Sequence, residues 1–258
     1  MPRRPGAAAL PAAAWRRDVG AAIGWGALGA STLLIGALLA YHLSLGRNLI
    51  AWVMALGTGL LIGSVSFELI DEALKTRTVL AVGLFVMVGA ATFAVGDWLL
   101  SRHGAGERKD ATGEQAGGAP LAIVLGSVLD GIPESFVLGL TVLEGGVSVA
   151  LLVGVALSNL PESMSSSAGL RAAHWPEGRV LLMWSVVVAV SAVFAGLGYA
   201  VLDPASGFSG ALVQAFAAGA LLAMVTDTLL PEAYEVEGIL TGPLVVFGFA
   251  VSLALSAL

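Results

Sequence analysis

The chain has 258 residues, 57% of them hydrophobic and only 12% charged, with a mean hydropathy of +0.92 and a formal net charge of −6 at pH 7. Such a balance excludes an ordinary water-soluble domain and gives no basic surface for nucleic acid, leaving a chain built for lipid. Cysteine is absent, which excludes disulfides and thiolate metal sites and leaves oxygen, nitrogen or thioether ligands for any metal.

From the N-terminus, Arg3, Arg4, Arg16 and Arg17 flank an Ala/Pro-rich stretch whose apolar part is short and split by Pro11. Residues 1–19 therefore read as a flexible tail rather than a cleaved signal. Beyond it, apolar runs bounded by charge, Gly or Pro predict eight spans near 20–41, 48–70, 78–100, 119–141, 147–170, 179–202, 209–231 and 239–258. With only the Gly- and charge-rich loop 101–118 between spans three and four as a sizeable polar connection, residues 20–258 read as a single transmembrane domain. Lys and Arg divide six to six between the two faces with the tail counted, and six to two without it, which favours both termini outside.

Span two repeats in span seven. Ala55, Gly59, Leu61, Val65, Leu69, Glu72 and Ala73 recur as Ala215, Gly219, Leu221, Val225, Leu229, Glu232 and Ala233 at a constant offset of 160. If spans one to three correspond to six to eight, the halves form an inverted repeat around spans four and five, a plan shared by many carriers. Span two ends in Glu68, Asp71 and Glu72, which line a path or are simply solvated. Asp97 and Asp227 near the ends of spans three and seven carry the same two readings. Glu232, Glu235 and Glu237 read as a solvated acidic face, His42 and His174 as interfacial, and the six tryptophans mostly as anchors at the membrane boundary.

The chemistry concentrates in spans four and five. Span four reads Leu129-Asp130-Gly131-Ile132-Pro133-Glu134-Ser135 and span five Leu157-Ser158-Asn159-Leu160-Pro161-Glu162-Ser163, both near mid-span. A central acid costs roughly 2.5–3.5 kcal/mol to insert, so Asp130, Glu134 and Glu162 together cost on the order of 8–10 kcal/mol without compensation by protonation, water or a bound cation. Asp130 and Glu134 are four residues apart, and Asn159 and Glu162 three apart, so each pair projects from one helix face. Pro133 and Pro161 free the carbonyls of Leu129 and Leu157, and exposed backbone at this depth is tolerated only where protein or water satisfies it. The expected site is an oxygen-rich cage of Asp130, Glu134, Ser158, Asn159 and Glu162 suited to divalent cations. The bland reading is a protonated, hydrogen-bonded polar core.

On these residues the chain resembles a divergent, bacterial-type member of the ZIP (Zrt/Irt-like) family of divalent-metal transporters over nearly its full length. The family carries His-Asn-x-Pro-Glu-Gly in span four and a related polar-x-x-Pro-Glu motif in span five, jointly forming a binuclear metal site. Glu134 and Glu162 match the family's glutamates and Asn159 a span-five ligand, Ser158 sits where a polar or His ligand is usual, and Asp130 stands in the span-four His position. Gly131 replaces the family's Asn, Ser follows each Glu where Gly is usual, span six offers only Ser185 and Ser191, and the loop retains only His103. The resemblance implies transport of zinc, iron or manganese through the midplane site, as uptake toward the cytoplasm across the plasma membrane by a multi-pass carrier. The metal is substrate, no prosthetic group and no enzymatic activity are expected, and the expected partners are metal ions, the bilayer and a second copy in a homodimer. The alternatives are a proton-coupled small-solute carrier and a non-transporting metal-binding relative.

Overall fold

The computed structural model describes residues 12–43, 46–100, 102, 120–143, 147–201 and 210–257. Most of the expected loop 101–118, with His103, and the first part of the expected tail lie outside the described residues. The described residues form helices and no strand.

Helix α1 (Ala12–Ala30) begins directly after Pro11, eight residues before the predicted span, because alanines with Trp15, Arg16 and Arg17 make a good helix former of what reads as tail. It runs through the single turn residue Ser31 into α2 (Thr32–His42). Then come α3 (Arg47–Ser64), a π-helical turn (Val65–Ile70) and α4 (Asp71–Leu74), which form one continuous rod. Next are α5 (Val79–Leu100), α6 (Pro120–Leu143), α7 (Val149–Ala172) and α8 (Glu177–Val201). The last stretch holds α9 (Gly210–Met224), a second π turn (Val225–Leu229), α10 (Leu230–Glu237), a 3-10 turn (Gly238–Leu240) and α11 (Thr241–Leu255). The π turns start at Val65 and Val225, 160 residues apart, the separation that relates the two copies of the sequence repeat.

Among the described residues, six helical stretches are long and apolar enough to cross a bilayer: Val19–His42, Arg47–Leu74, Val79–Leu100, Val124–Val142, Glu177–Ala200 and Gly210–Leu255. This is the make-up of a membrane protein. Helix α7 is not among them, because Ser158, Asn159, Glu162, Ser163, Ser165, Ser166 and Ser167 dilute its apolar character. The 46 residues of Gly210–Leu255 would extend about 69 Å as one straight helix, over twice the hydrocarbon thickness. Gly238 interrupts them with φ +59°, ψ −125°, a conformation only glycine adopts without strain, and Thr241 Oγ1 donates to the Ala233 carbonyl across the break at 3.2 Å.

Helix pairs are joined by reciprocal glycines. A Cβ on Gly89 of α5 would overlap the Phe216 carbonyl of α9, and one on Gly219 would overlap the Val86 carbonyl of α5. Gly139 and Gly198 do the same for α6 and α8 through Ala195 and Phe136, and Gly59 and Gly248 for α3 and α11 through Val245 and Leu56. In each case the carbonyl touched lies three residues before the partner's glycine. Small residues of this kind let helix backbones meet where lipid supplies no hydrophobic drive.

Inside, Met54, Leu61, Val65 and Leu69 pack with Val137, Leu138, Leu151, Val155, Leu221 and Met224 in the principal core. The outer face of α5 exposes Val79, Leu80, Leu84, Met87 and Val88, and α11 exposes Val246, Phe247 and Leu253. Contiguous apolar surface on that scale is stable against acyl chains rather than water. Helices α6 and α7 thus sit inside the bundle, where their polar residues are shielded from lipid.

Candidate functional site

Pro133 and Pro161 both lie inside helices that continue past them. A proline there removes the hydrogen bond to the carbonyl four residues earlier. On α7 that carbonyl belongs to Leu157, and α3 approaches it through Gly57, where a Cβ would stand 2.9 Å from the Leu157 carbonyl carbon and 3.0 Å from the Ser158 nitrogen. Only a residue without a side chain admits this approach.

The polar residues of the two proline helices are enclosed: Asp130 is 4% exposed, Glu134 3%, Ser158 1% and Asn159 5%, with Glu162 half-buried. Ser158 Oγ on α7 lies 2.9 Å from Glu134 Oε1 on α6 and 2.9 Å from the Val155 carbonyl, so its one proton is shared between two acceptors. In the opposite sense, Ser127 Oγ on α6 donates to Glu162 Oε1 on α7 at 2.6 Å. The site is therefore a crossed pair in which each helix supplies one glutamate and one serine to the other. The Ser127–Glu162 distance is that of a hydroxyl on a carboxylate, and the Ser158–Glu134 distance falls in the ordinary range of hydroxyl hydrogen bonds.

Glu134 is joined to Ser158, and Glu162 to the unanticipated Ser127. Asn159 turns elsewhere, its Nδ2 being 3.5 Å from the Gly29 carbonyl of α1, at the outer limit of a hydrogen bond. Asp130 stands on α6 between Ser127 and Glu134. Ser127, Asp130 and Glu134 follow the i, i+3, i+7 spacing of one helix stripe, a signal that could have added Ser127 from sequence. Among the described residues, no three His, Asp or Glu side chains are grouped so as to hold a metal ion. Thr58 of α3, next to Gly57, is fully buried with no hydrogen-bond partner for its Oγ1 among the described residues, a second polar group that sequence patterning does not mark.

The remaining candidates lie apart from the crossed pair. Glu68, in the first π turn, accepts from Oγ of Ser256, just past α11, at 3.0 Å. Asp71 and Glu72 face Lys75 at 3.7 and 2.6 Å, and the Glu72 carboxylate raises the Lys75 ammonium above its ordinary pKa. Asp227, Tyr234 and Glu235 are exposed, and His42 pairs with Glu177 at 3.2 Å. Trp184 departs from the interfacial role expected of tryptophan: it is fully buried, and its indole N–H donates to Ser167 Oγ at 2.9 Å. Of the two span-six serines, Ser191 is buried, while Ser185 is exposed and satisfied by the Leu181 carbonyl.

No family model and no curated protein matches the chain.

Proposed function

We propose that this chain is a ZIP-type carrier of divalent metal cations, with eight membrane crossings and a transport site at Asp130, Glu134, Ser158, Asn159 and Glu162, joined by Ser127. The crossed serine–glutamate pair carries the reading: carboxylates buried or half-buried on two proline-containing helices inside a lipid-facing bundle are costly to a fold that does not use them. Counting eight treats α7 as a crossing despite its polarity and divides Gly210–Leu255 at Gly238.

An inverted repeat of spans one to three and six to eight is supported by the π turns 160 residues apart and by the clasps at Gly59 on α3 and Gly219 on α9, also 160 apart. A cation entering between α6 and α7 neutralises Glu134, Glu162 and Asp130, while the serine hydroxyls rotate their protons away and offer lone pairs. An oxygen donor set suits iron, manganese and zinc, with harder ions favoured relative to a site built on imidazole. Transport exposes this site to each side in turn, as uptake across the plasma membrane, and the chain is no enzyme.

The test is uptake of zinc, iron and manganese isotopes into proteoliposomes by the wild type and by Glu134→Ala and Glu162→Ala. Flux lost in both variants supports the site; wild-type flux of none of the metals overturns the assignment. One observation favours a second reading: each glutamate is joined to a serine hydroxyl, the kind of contact a proton-carrying carboxylate makes. A proton-coupled carrier of a small solute would use the same carboxylates, and its signature is metal-independent proton flux in the same vesicles.

A further inference from the structure

Away from the crossed pair, a cavity of about 420 Å³ opens where the ends of α2 and α7 meet the start of α3. Its lining combines Arg171 and His174 with Leu43, Ile50 and Met164, and among the described residues it includes no acid. This volume lies within the range of small-ligand sites. A basic rim rules against a passage for cations and matches an anion, while the apolar wall matches hydrocarbon.

The basic rim is rigidly built. Arg171 Nη1 donates to the Ala40 carbonyl at the end of α2 at 2.8 Å, which fixes the guanidinium at the rim. Helix α7 then closes in a Schellman turn, with Trp175 N–H on the Leu170 carbonyl at 3.0 Å and His174 N–H on the Arg171 carbonyl at 2.9 Å. The left-handed position of that turn, normally glycine, is occupied by His174 at φ +61°, the one non-glycine residue with positive φ among the described residues. Tyr41 Oη donates to the Trp175 carbonyl at 2.6 Å and locks the turn to α2. A strained backbone thus carries an imidazole to the rim where glycine would close the helix more easily.

We infer that this cavity binds the phosphate headgroup of an anionic phospholipid, with Arg171 and His174 on the phosphate and the acyl chain along Leu43, Ile50 and Met164. Free phosphate would satisfy the rim and leave the apolar wall without a partner. The site is independent of the transport reading.

The test is native mass spectrometry of the detergent-purified full chain titrated with phosphatidylglycerol or phosphatidylcholine, beside Arg171→Gln, His174→Gly and Arg179→Gln. Gln at 171 removes the charge while keeping a polar side chain, and Gly at 174 suits the turn, so each removes rim chemistry. Arg179 lies exposed outside the cavity and reports general surface charge. The wild type should retain phosphatidylglycerol over phosphatidylcholine, with Arg171→Gln losing about fivefold of that preference, the worth of one charge near a membrane surface, His174→Gly losing part of it with the imidazole donor, and Arg179→Gln retaining it. Equal retention of the two lipids by the wild type, an equal loss in Arg179→Gln, or displacement of the lipid by millimolar inorganic phosphate would each overturn the assignment. If Arg171→Gln does not fold, His174→Gly decides alone.

Discussion

Ser127 and Ser158 perform mirror-image tasks, yet their bonds are not equal. Ser127 gives Glu162 a short contact at 2.6 Å, whereas Ser158 divides its proton between Glu134 and its own helix. Hydrogen bonds to charged groups contribute about 1.5–3 kcal/mol. Ser127→Ala is therefore expected to lower stability in detergent by an amount in that range, and Ser158→Ala by less, because the Val155 carbonyl already takes part of its proton. Ser127→Thr, which keeps the hydroxyl, should restore most of the loss, and thermal unfolding of the three variants checks the order. Equal losses for the two alanine variants would show that the crossed geometry is not maintained in solution. At His174 the sign reverses: left-handed backbone disfavours a side chain by roughly 1–2 kcal/mol, so His174→Gly should raise the unfolding midpoint, offset in part by the greater freedom of glycine in the unfolded chain.

At the scale of elements, glycine has two opposite meanings within one helix. Gly83 of α5 has no atom within 4 Å of a built Cβ, while six residues on, Gly89 meets the Phe216 carbonyl of α9. Gly83→Ala should stabilise by roughly 0.5–1 kcal/mol through helix propensity alone. Gly89→Ala must push two helix backbones apart, and overpacking of that kind costs about 1–3 kcal/mol. Thermal melts of the two variants side by side separate the effects, and a Gly89→Ala protein as stable as wild type would mean that α5 and α9 do not touch there. The π turns respond to the same constraint. An extra residue in the coil at Val65–Ile70 and Val225–Leu229 re-aims the faces of α3 and α9 just past their clasps at Gly59 and Gly219, and such bulges cluster at functional positions.

For the whole molecule, apolar runs made the helices and most of their ends legible, since a stretch such as Val79–Leu100 has no stable place but lipid. The paired Pro-Glu motifs pointed to the crossed serine–glutamate pair for a similar reason: acids in apolar runs are rare. Ser127 escaped because an isolated serine is common in membrane helices and its partner, Glu162, lies 35 residues away. Pairing between distant helices escaped too, since glycine is plentiful in every span. That pairing fixes chain direction. Ser64 Oγ lies 3.2 Å from Ser252 Oγ, and four residues on, Glu68 accepts from Ser256 at 3.0 Å, so α3 and α11 run parallel. On α5 and α9, Val82 shares one small core with Ala215, and Val86 lies against Gly219, again four residues on in both helices, so that pair is parallel as well. Helix α5 turns back from α3 through only Lys75–Thr78, and hence α11 must run opposite to α9, which requires reversal near Gly238 rather than one long rod. The natural chain has no cysteine, so engineered pairs report this without background. Oxidation should cross-link Ser64→Cys with Ser252→Cys, and Glu68→Cys with Ser256→Cys, but not Ser64→Cys with Ser256→Cys, which a further helical turn of about 6 Å carries beyond disulfide reach. An antiparallel or unpaired α11 would link no more than one of the first two pairs, and the reversal at Gly238 would then be lost with it.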